Sequence, residues 1–379
     1  MTPRSSETLE KIARSVPIPE PAYERFQRRR HRKRRDQRIA AGVVGMAFFV
    51  AGIWIVASVG SLGRTQVAAG GAGTDAFISI RAQLTNDEAA RNLFTVRADH
   101  AEYWRMYTLD RFNGVSWKSS DLMPMLVSGP PGHRGGTPPP GAETLDQTFE
   151  IVGDLPGLNA LPMAPTAVAI SGTVGDITWD PVRSEAFVDD DLQAGMTYRV
   201  RSQIVIPSAD ELDALQFDSL AEYGPWTQLP SNLNPRFAAI AQQWTAGETS
   251  DYRRVLAIQQ HFHDGRFAYS TDVETTDDAH ALLKFLTQTR TGFCQQYASA
   301  MAILVRALGL PARIAVGYQE GTLLDDGTYL VTTNDAHAWV EVLFPTYGWL
   351  PFEPTPGHGV LPNAAPGTYL NPVTPMGDS

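Results

Sequence analysis

The chain has 379 residues, which is enough for two or three domains that each bury a core. Its hydrophobic content of 43% and charged content of 19% are those of a globular protein and exclude a largely disordered chain. The formal net charge is -10, although nine Lys or Arg residues lie between Arg25 and Arg38, so the remaining chain is distinctly acidic. An acidic body excludes nucleic acid as the expected partner.

Residues 39–62 read IAAGVVGMAFFVAGIWIVASVGSL and contain no charged side chain. A helix of this length spans the ~30 Å hydrocarbon core of a bilayer, so the segment predicts a single transmembrane helix. The alternatives are a cleaved signal peptide, whose apolar region is usually about 7–15 residues long, and a buried helix of a soluble domain, which would normally carry some polar positions. Because the basic cluster lies on the N-terminal side, the positive-inside rule predicts that residues 1–38 are cytoplasmic. We therefore expect a single-pass protein of the cell membrane with an extracytoplasmic body.

The next stretch predicts a tether followed by a β-rich region. Residues 63–75 are rich in Gly and Ala and predict a flexible linker. From residue 76 to 207, β-branched and aromatic runs alternate with turn residues, which is typical of a β-sandwich-like domain. The Gly/Pro-rich segment 128–143 predicts a long mobile surface loop. The predicted strands are FISIRAQL, ARNLFTVRA, YWRMYTLDRF, QTFEIVG, GDITWDP, EAFVDD and TYRVRSQIVIP.

After residue 207, apolar residues recur at every third or fourth position, which is typical of amphipathic helices. The predicted helices are 234–244, 251–265, 279–286 and 294–308. The last of these is apolar on nearly every face and stops at Gly309 and Pro311, so we expect it at the centre of its domain.

Strands follow these helices. The runs ARIAVGYQ, TYLVTT, HAWVEVLF and GWLPFEP have strand composition. Helices followed by an antiparallel sheet predict an α+β domain over residues 208–356. Residues 357–379 are rich in Pro and Gly and predict a flexible tail.

Cys294 is the single cysteine of the sequence, so an internal disulfide is excluded. It follows Gly292-Phe293 at the start of the apolar helix. A helix N-terminus presents unpaired N–H groups and partial positive charge, which favour a thiolate and can stabilise an oxyanion. Gly292 would let a substrate carbonyl approach the backbone, and whether Gln295 or Gln296 adds an oxyanion donor stays open. The alternative is an inert cysteine of the apolar core.

His337 lies at the start of the strand HAWVEVLF and shares one face of it with Trp339. A thiol at a helix N-terminus with a histidine on the following sheet is the arrangement of a Cys–His pair. The pair needs an acid that orients the imidazole. Glu353 on the next strand and Asp335, two residues before His337, are both candidates. Trp339 belongs to the core or lines the site.

The other polar features are expected to have structural roles. His261 and His263 stand two positions apart on a predicted helix and do not face each other, so we expect no metal there. Residues 325–327 (Asp-Asp-Gly) predict a hairpin turn, and the acidic run 272–278 a solvated surface. No metal or cofactor is therefore expected. The tryptophans expected in the core are Trp104, Trp117, Trp339 and Trp349.

The runs RTGFCQQYASAMAILVRALGLPARIAVGYQEG, DAHAWVEV and GWLPFEPTP resemble the transglutaminase-like superfamily, especially its bacterial membrane-bound branch. The match extends from about residue 228 to residue 356. A further run, EYWRMYTLDRFNGVSWKS, resembles the β-rich domain that precedes the catalytic domain in that branch. The resemblance implies a papain-like fold with Cys294 as nucleophile, His337 as base and Glu353 as acid. The family's usual acid is Asp, which is one methylene shorter.

The resemblance also implies a reaction. Cys294 would attack an amide bond of a protein or peptide at the cell envelope, and water or a second amine would resolve the thioester. The alternative is a catalytically silent relative that binds envelope proteins or peptides through the same groove. Two features motivate this alternative: Glu353 stands where the family usually has Asp, and one membrane helix is predicted where relatives often have several. A regulator that binds a cytoplasmic partner through residues 1–38 is a third hypothesis.

Overall fold

The computed structural model describes residues 89–120, 127–128, 139–180, 182–215, 217, 223–273 and 278–357. The predicted transmembrane helix 39–62, the linker, the strand FISIRAQL and nearly all of the tail lie outside these residues. Within the described ranges, no helix is long and apolar enough to cross a bilayer. All of the described residues belong to one compact unit.

The described part of the chain contains both strands and helices. The strands are β1 (Asn92–Ala98), β2 (Trp104–Leu109), β3 (Arg111–Phe112), β4 (Trp117–Lys118), β5 (Val127–Ser128), β6 (Glu143–Ile151), β7 (Ala167–Gly172), β8 (Ile177–Asp180), β9 (Glu185–Val188), β10 (Thr197–Ile204), β11 (Ala268–Tyr269), β12 (Thr291–Gly292), β13 (Ala312–Tyr318), β14 (Thr322–Leu323), β15 (Tyr329–Thr332), β16 (Ala336–Phe344) and β17 (Gly348–Phe352). The helices are α1 (Ala209–Asp213), α2 (Gly224–Thr227), α3 (Arg236–Trp244), α4 (Asp251–His263), α5 (Ala279–Lys284) and α6 (Cys294–Ala307).

The four predicted helices are confirmed as α3, α4, α5 and α6. The third is shorter than expected, because a π-helical turn replaces its end at Phe285–Thr289. The short helices α1 and α2 and strand β7 were not predicted. The predicted loop 128–143 is wrong at both ends, since Ser128 pairs with Thr178 and Glu143 begins β6. Residues 129–138 of that loop lie outside the described residues.

Two sheets contain strands from both sides of the expected boundary at residue 207. One is four-stranded and antiparallel, in the order β17-β16-β13-β2. The other is six-stranded, in the order β14-β15-β1-β6-β10-β7. Strand β2 therefore pairs with β13, and β1 pairs with β15, across about 200 residues of sequence. The division into regions 76–207 and 208–356, and the sandwich expected for the first, stay predictions.

Helix α6 lies at the centre of the helical layer, as its apolar pattern predicts. Every residue from Cys294 to Arg306 is buried. The helix packs against α3 and α4 on one side and against β13 and β16 of the four-stranded sheet on the other. It ends before Gly309, whose φ of +82° lies in the left-handed region that glycine adopts without steric cost.

A buried charge network joins three strands of the four-stranded sheet. Glu341 of β16 is fully buried, and its carboxylate accepts hydrogen bonds from Arg105 of β2 at 3.0 Å and from Arg313 of β13 at 2.7 Å. Burial alone would raise the pKa of Glu341, but the two guanidinium groups lower it. The network holds β2 and β13 beside β16, where His337 and Trp339 share the face of Glu341.

Glu341→Gln should destabilise the fold strongly, because it removes the charged carboxylate that is hydrogen-bonded to two buried guanidinium groups. We expect a loss of about 3–5 kcal/mol in the free energy of unfolding, measured by denaturant titration. The control Arg201→Gln removes the exposed ion pair with Asp146 and should leave the denaturant concentration at the midpoint of unfolding close to that of the wild type. Equal small shifts for both variants would contradict the role given to the network.

Candidate functional site

Cys294 is the first residue of α6, as predicted, and its side chain is buried. The preceding residue Phe293 has an extended backbone, and its N–H donates a 3.1 Å hydrogen bond to Oε1 of Gln296. This contact caps the first turn and fixes where the helix begins. The first amides of a helix have no partner within the helix. The thiol therefore lies at the positive end of the central helix.

Two short strands lead into this helix. Strand β12 pairs in parallel with β11, so that Gly292 lies opposite Tyr269, and the Ser270 N–H donates to the Gly292 carbonyl at 2.8 Å. A Cβ at Gly292 would lie 3.2 Å from Gln296 Cβ and from the Phe285 ring. Crowding inside the protein is thus one reason for the glycine. Its predicted role in substrate approach stays a prediction.

His337 of β16 contacts both of the other candidate residues. Its Nε2 lies 2.6 Å from Oε2 of Glu353, and its ring shares a hydrogen bond with the Cys294 thiol. Because Nε2 faces the carboxylate, Nδ1 is the ring nitrogen left for the sulfur. His337 is 1% exposed and Cys294 is 0% exposed. The structure therefore brings the sulfur, the imidazole and the carboxylate into one buried row.

The electrostatics of this row favour an imidazolium–carboxylate pair. Burial alone would lower the pKa of His337, but the negative charge of Glu353 and the hydrogen bonds with Cys294 and Glu353 raise it to about 10. Burial alone would raise the pKa of Glu353, but the charge and hydrogen bond of His337 lower it. Both shifts therefore have the direction expected of a buried pair in which both partners are charged.

Helix α4 holds the backbone of Glu353. Gln259 Oε1 accepts from the Glu353 N–H at 2.9 Å, and His263 Nε2, one turn later, donates to the Glu353 carbonyl at 2.7 Å. The Thr355 N–H donates to Glu353 Oε1 at 2.7 Å. His263 is exposed, as expected of a surface residue, and its ring also contacts the backbone of Glu353. His261 packs instead against the Trp244 ring, at 4.7 Å between centroids.

The other predicted site residues lie around this row. The Asp335 carboxylate accepts from the Thr332 N–H at 2.7 Å and from its hydroxyl at 2.8 Å, so Glu353 is the acid placed on the imidazole. Trp339 is buried, and its ring is nearly parallel to that of His337 at 6.4 Å between centroids. Gln295 is buried in the first turn of α6.

Sequence reasoning missed Tyr269 as a site residue. Burial raises the pKa of its half-buried phenol, and the nearby charges of Cys294 and Glu353 raise it further. Tyr269 therefore lies within electrostatic range of both groups. Its position follows from the β11–β12 pairing, which the sequence pattern does not reveal.

The remaining features have structural roles. Residues 325–327 form the turn between β14 and β15, as predicted, with Gly327 at a φ of +78°. Asp278 caps α5 through the Ala281 N–H at 2.9 Å, while Glu274 and Asp277 lie outside the described residues. The described residues include no cluster of three His, Cys, Asp or Glu side chains that could hold a metal ion. Of the four tryptophans expected in the core, Trp104, Trp117 and Trp339 are fully buried, whereas Trp349 is only partly buried.

The His337–Glu353 pair predicts a pH dependence of stability. Because the pKa of His337 is raised, the pair stabilises the folded state fully below pH 6.5, the ordinary pKa of histidine. This stabilisation is lost as the pH rises through the folded-state pKa of about 10. The lowered pKa of Glu353 means stabilisation that is present above 4.5 and is lost as the pH falls through the folded value. In a Cys294→Ser background, Glu353→Gln should lower the free energy of unfolding by on the order of 3 kcal/mol between pH 4.5 and pH 6.5.

The cost should shrink as the pH rises from 6.5 through the pKa of His337, as measured by urea unfolding at a series of pH values. The serine background removes the thiol from the comparison. A cost that stays constant from pH 5 to pH 10 would be inconsistent with a charged pair.

Two family models match the chain. The TgpA N-terminal domain matches residues 22–209, and the transglutaminase-like superfamily matches residues 238–354. The second match includes Cys294 and His337 and ends one residue after Glu353.

Two curated bacterial proteins are similar to the chain. It is 32% identical over 268 residues to the protein-glutamine gamma-glutamyltransferase of Pseudomonas aeruginosa, across 67% of this chain and 35% of that protein. It is 37% identical over 139 residues to the uncharacterized protein YebA of Bacillus subtilis, across 35% of this chain and 19% of that protein. The chain thus spans about a third or less of the length of these relatives.

The fold is also similar to solved structures. The periplasmic domain of TgpA from Pseudomonas aeruginosa superposes with a TM-score of 0.54 and 27% identity, over 78% of this chain and 94% of that one. The same domain bound to ethylmercury gives a TM-score of 0.54 and 28% identity, over 73% of this chain and 92% of that one. The fold is therefore the mixed helix-and-strand fold of transglutaminase-like proteins. Residues 238–354 of the chain belong to the transglutaminase-like superfamily.

Proposed function

We propose that this chain is a membrane-anchored cysteine enzyme that acts on amide bonds of extracytoplasmic proteins or peptides. The observation that carries the proposal is the row of contacts from the Cys294 thiol through His337 to Glu353. Membership of the transglutaminase-like superfamily supports it, because the matched region contains all three residues.

The row supports acyl transfer in two steps. A Cys294 thiolate attacks the amide carbonyl carbon, and the Cys294 N–H, as the first amide of α6, stabilises the oxyanion. The His337 imidazolium gives its proton to the leaving amine, so the C–N bond breaks and a thioester remains. Neutral His337 then takes a proton from water or a second amine, which attacks the thioester and restores the thiolate. Glu353 holds the ring orientation and stabilises the imidazolium throughout.

The burial of the row has two consequences for this mechanism. Exclusion of water strengthens the attraction between imidazolium and carboxylate. It also means that a substrate acyl group reaches the sulfur only after neighbouring groups move apart. Half-buried Tyr269 is one such neighbour.

The proposed location rests on the sequence and on a relative. The solved domain of the Pseudomonas protein is described as periplasmic, which supports an extracytoplasmic position for residues 89–357 of this chain. The uncharged segment 39–62 provides the anchor in this proposal.

The relative's name supports the glutamine side-chain amide as the acyl donor. The test incubates the full chain, in detergent, with a glutamine-containing protein and a labelled primary amine. The wild type should release ammonia and Cys294→Ala should not. Incorporation of the amine indicates transfer, and ammonia release without incorporation indicates hydrolysis.

Glu353→Gln should lower kcat/KM for ammonia release by about 10²–10⁴-fold, because the neutral amide does not stabilise the imidazolium. Asp335→Asn is the matched control: its carboxylate contacts Thr332 rather than His337, so we expect a change within a few-fold. Equal losses in the two variants would contradict the assignment of Glu353 as the acid.

The second candidate is a silent relative that binds envelope proteins or peptides. The Glu at position 353, where the family usually has Asp, favours it. This candidate predicts that the wild type and Cys294→Ala retain a glutamine-containing peptide equally and that neither releases ammonia. Ammonia release that depends on Cys294 excludes it.

A further inference from the structure

Tyr103 lies directly before β2, in the N-terminal half of the described chain. Its hydroxyl is 3.2 Å from Glu353 Oε2, the same oxygen that contacts His337 Nε2. Burial and the charge of Glu353 raise the pKa of Tyr103, so the phenol stays protonated and its O–H donates a hydrogen bond to the carboxylate. Gln319 Nε2 in turn donates to the Tyr103 oxygen at 3.4 Å.

The ring of Tyr103 also packs on the site. It meets the His337 ring edge-on, at 5.6 Å between centroids and 78° between planes. It meets the Trp339 ring at 5.0 Å and 67°. Tyr103, Trp339 and Ala315 form a small apolar cluster separate from the main core. The hydroxyl therefore contacts the acid while the ring restricts the imidazole.

The sheet contains a feature that allows this placement. Strand β2 approaches β13 so closely at a bulge that a Cβ on Gly317 would lie 2.1 Å from the Trp104 carbonyl oxygen. Gly317 also pairs with His337 on the other side. Arg105, two residues after Tyr103, is bound to Glu341 of β16. A glycine and a buried ion pair thus hold Tyr103 beside His337.

We infer that Tyr103 is a positioning residue of the proposed site, whose hydroxyl binds the Glu353 oxygen that faces His337 and moderates its charge. The inference rests on the proposed function, and it means that the N-terminal half completes the site. The hydroxyl of Tyr103 contacts Glu353, so it acts on His337 through that acid. Its hydrogen bond is strongest when the carboxylate is uncompensated, that is, when His337 is neutral. The bond should therefore make proton loss from His337 easier.

The test compares Tyr103→Phe with Tyr198→Phe in the full chain. Tyr198 is also buried, and its hydroxyl donates to the Pro162 carbonyl at 2.7 Å, far along the chain from the site residues. Both variants remove one buried hydroxyl: Tyr103→Phe loses the hydrogen bonds with Glu353 and Gln319, and Tyr198→Phe loses the one with the Pro162 carbonyl. Only Tyr103→Phe should raise the His337 pKa, by about one unit, in an NMR titration assigned with His337→Gln. It should also lower kcat/KM for ammonia release about 10-fold. The alkaline limb of the pH profile of kcat/KM should move to higher pH.

An unchanged His337 titration in Tyr103→Phe, equal to that in Tyr198→Phe, overturns the inference even if the wild type is active. If the wild type releases no ammonia but Tyr103→Phe still shifts the titration, the proposed function fails and the positioning role stands. The NMR readout therefore separates the two failures.

Discussion

The His337–Glu353 ion pair is the interaction on which the rest of the site depends. Two charges cannot be buried in a protein interior unless their remaining hydrogen-bonding groups are also satisfied. The structure meets this condition at both partners: Thr355 and Tyr103 donate to the carboxylate, and the Cys294 thiol contacts the imidazole. The pair then supplies a positive imidazole beside the sulfur, which is what an activated cysteine requires.

The site is assembled from segments that are distant in sequence. Helix α6 brings the thiol, β16 the imidazole, and the residue after β17 the carboxylate. Helix α4 holds the backbone of that carboxylate through Gln259 and His263, and the segment before β2 adds Tyr103. Because β2 lies in the same sheet as β16 and β13, the N-terminal half is part of the framework that supports the proposed chemistry. The Glu341 network holds this sheet together beside the site.

The sequence predicts the elements well where a strong period or a chemical requirement exists. The 3.6-residue period locates α3, α4, α5 and α6, and a thiol before an apolar helix indicates the helix N-terminus. Alternation along β16 predicts that His337, Trp339 and Glu341 share one face. The choice between Asp335 and Glu353 was not decided by spacing, because both lay within plausible reach. Tyr103 and the β11–β12 pair left no local signal, since long-range pairing places them.

In the proposed reaction, Cys294 holds the acyl group as a thioester. The direct measurement is intact and peptide mass spectrometry of the full chain, quenched in acid after mixing with an activated ester of a glutamine analogue. Because Cys294 is the single cysteine, we expect one acyl adduct, on the peptide that contains Cys294, and we expect hydroxylamine to remove it. The adduct should be absent in Cys294→Ser and should form much more slowly in His337→Ala. An unmodified Cys294 in the wild type, or equal acylation in wild type and His337→Ala, would contradict the account.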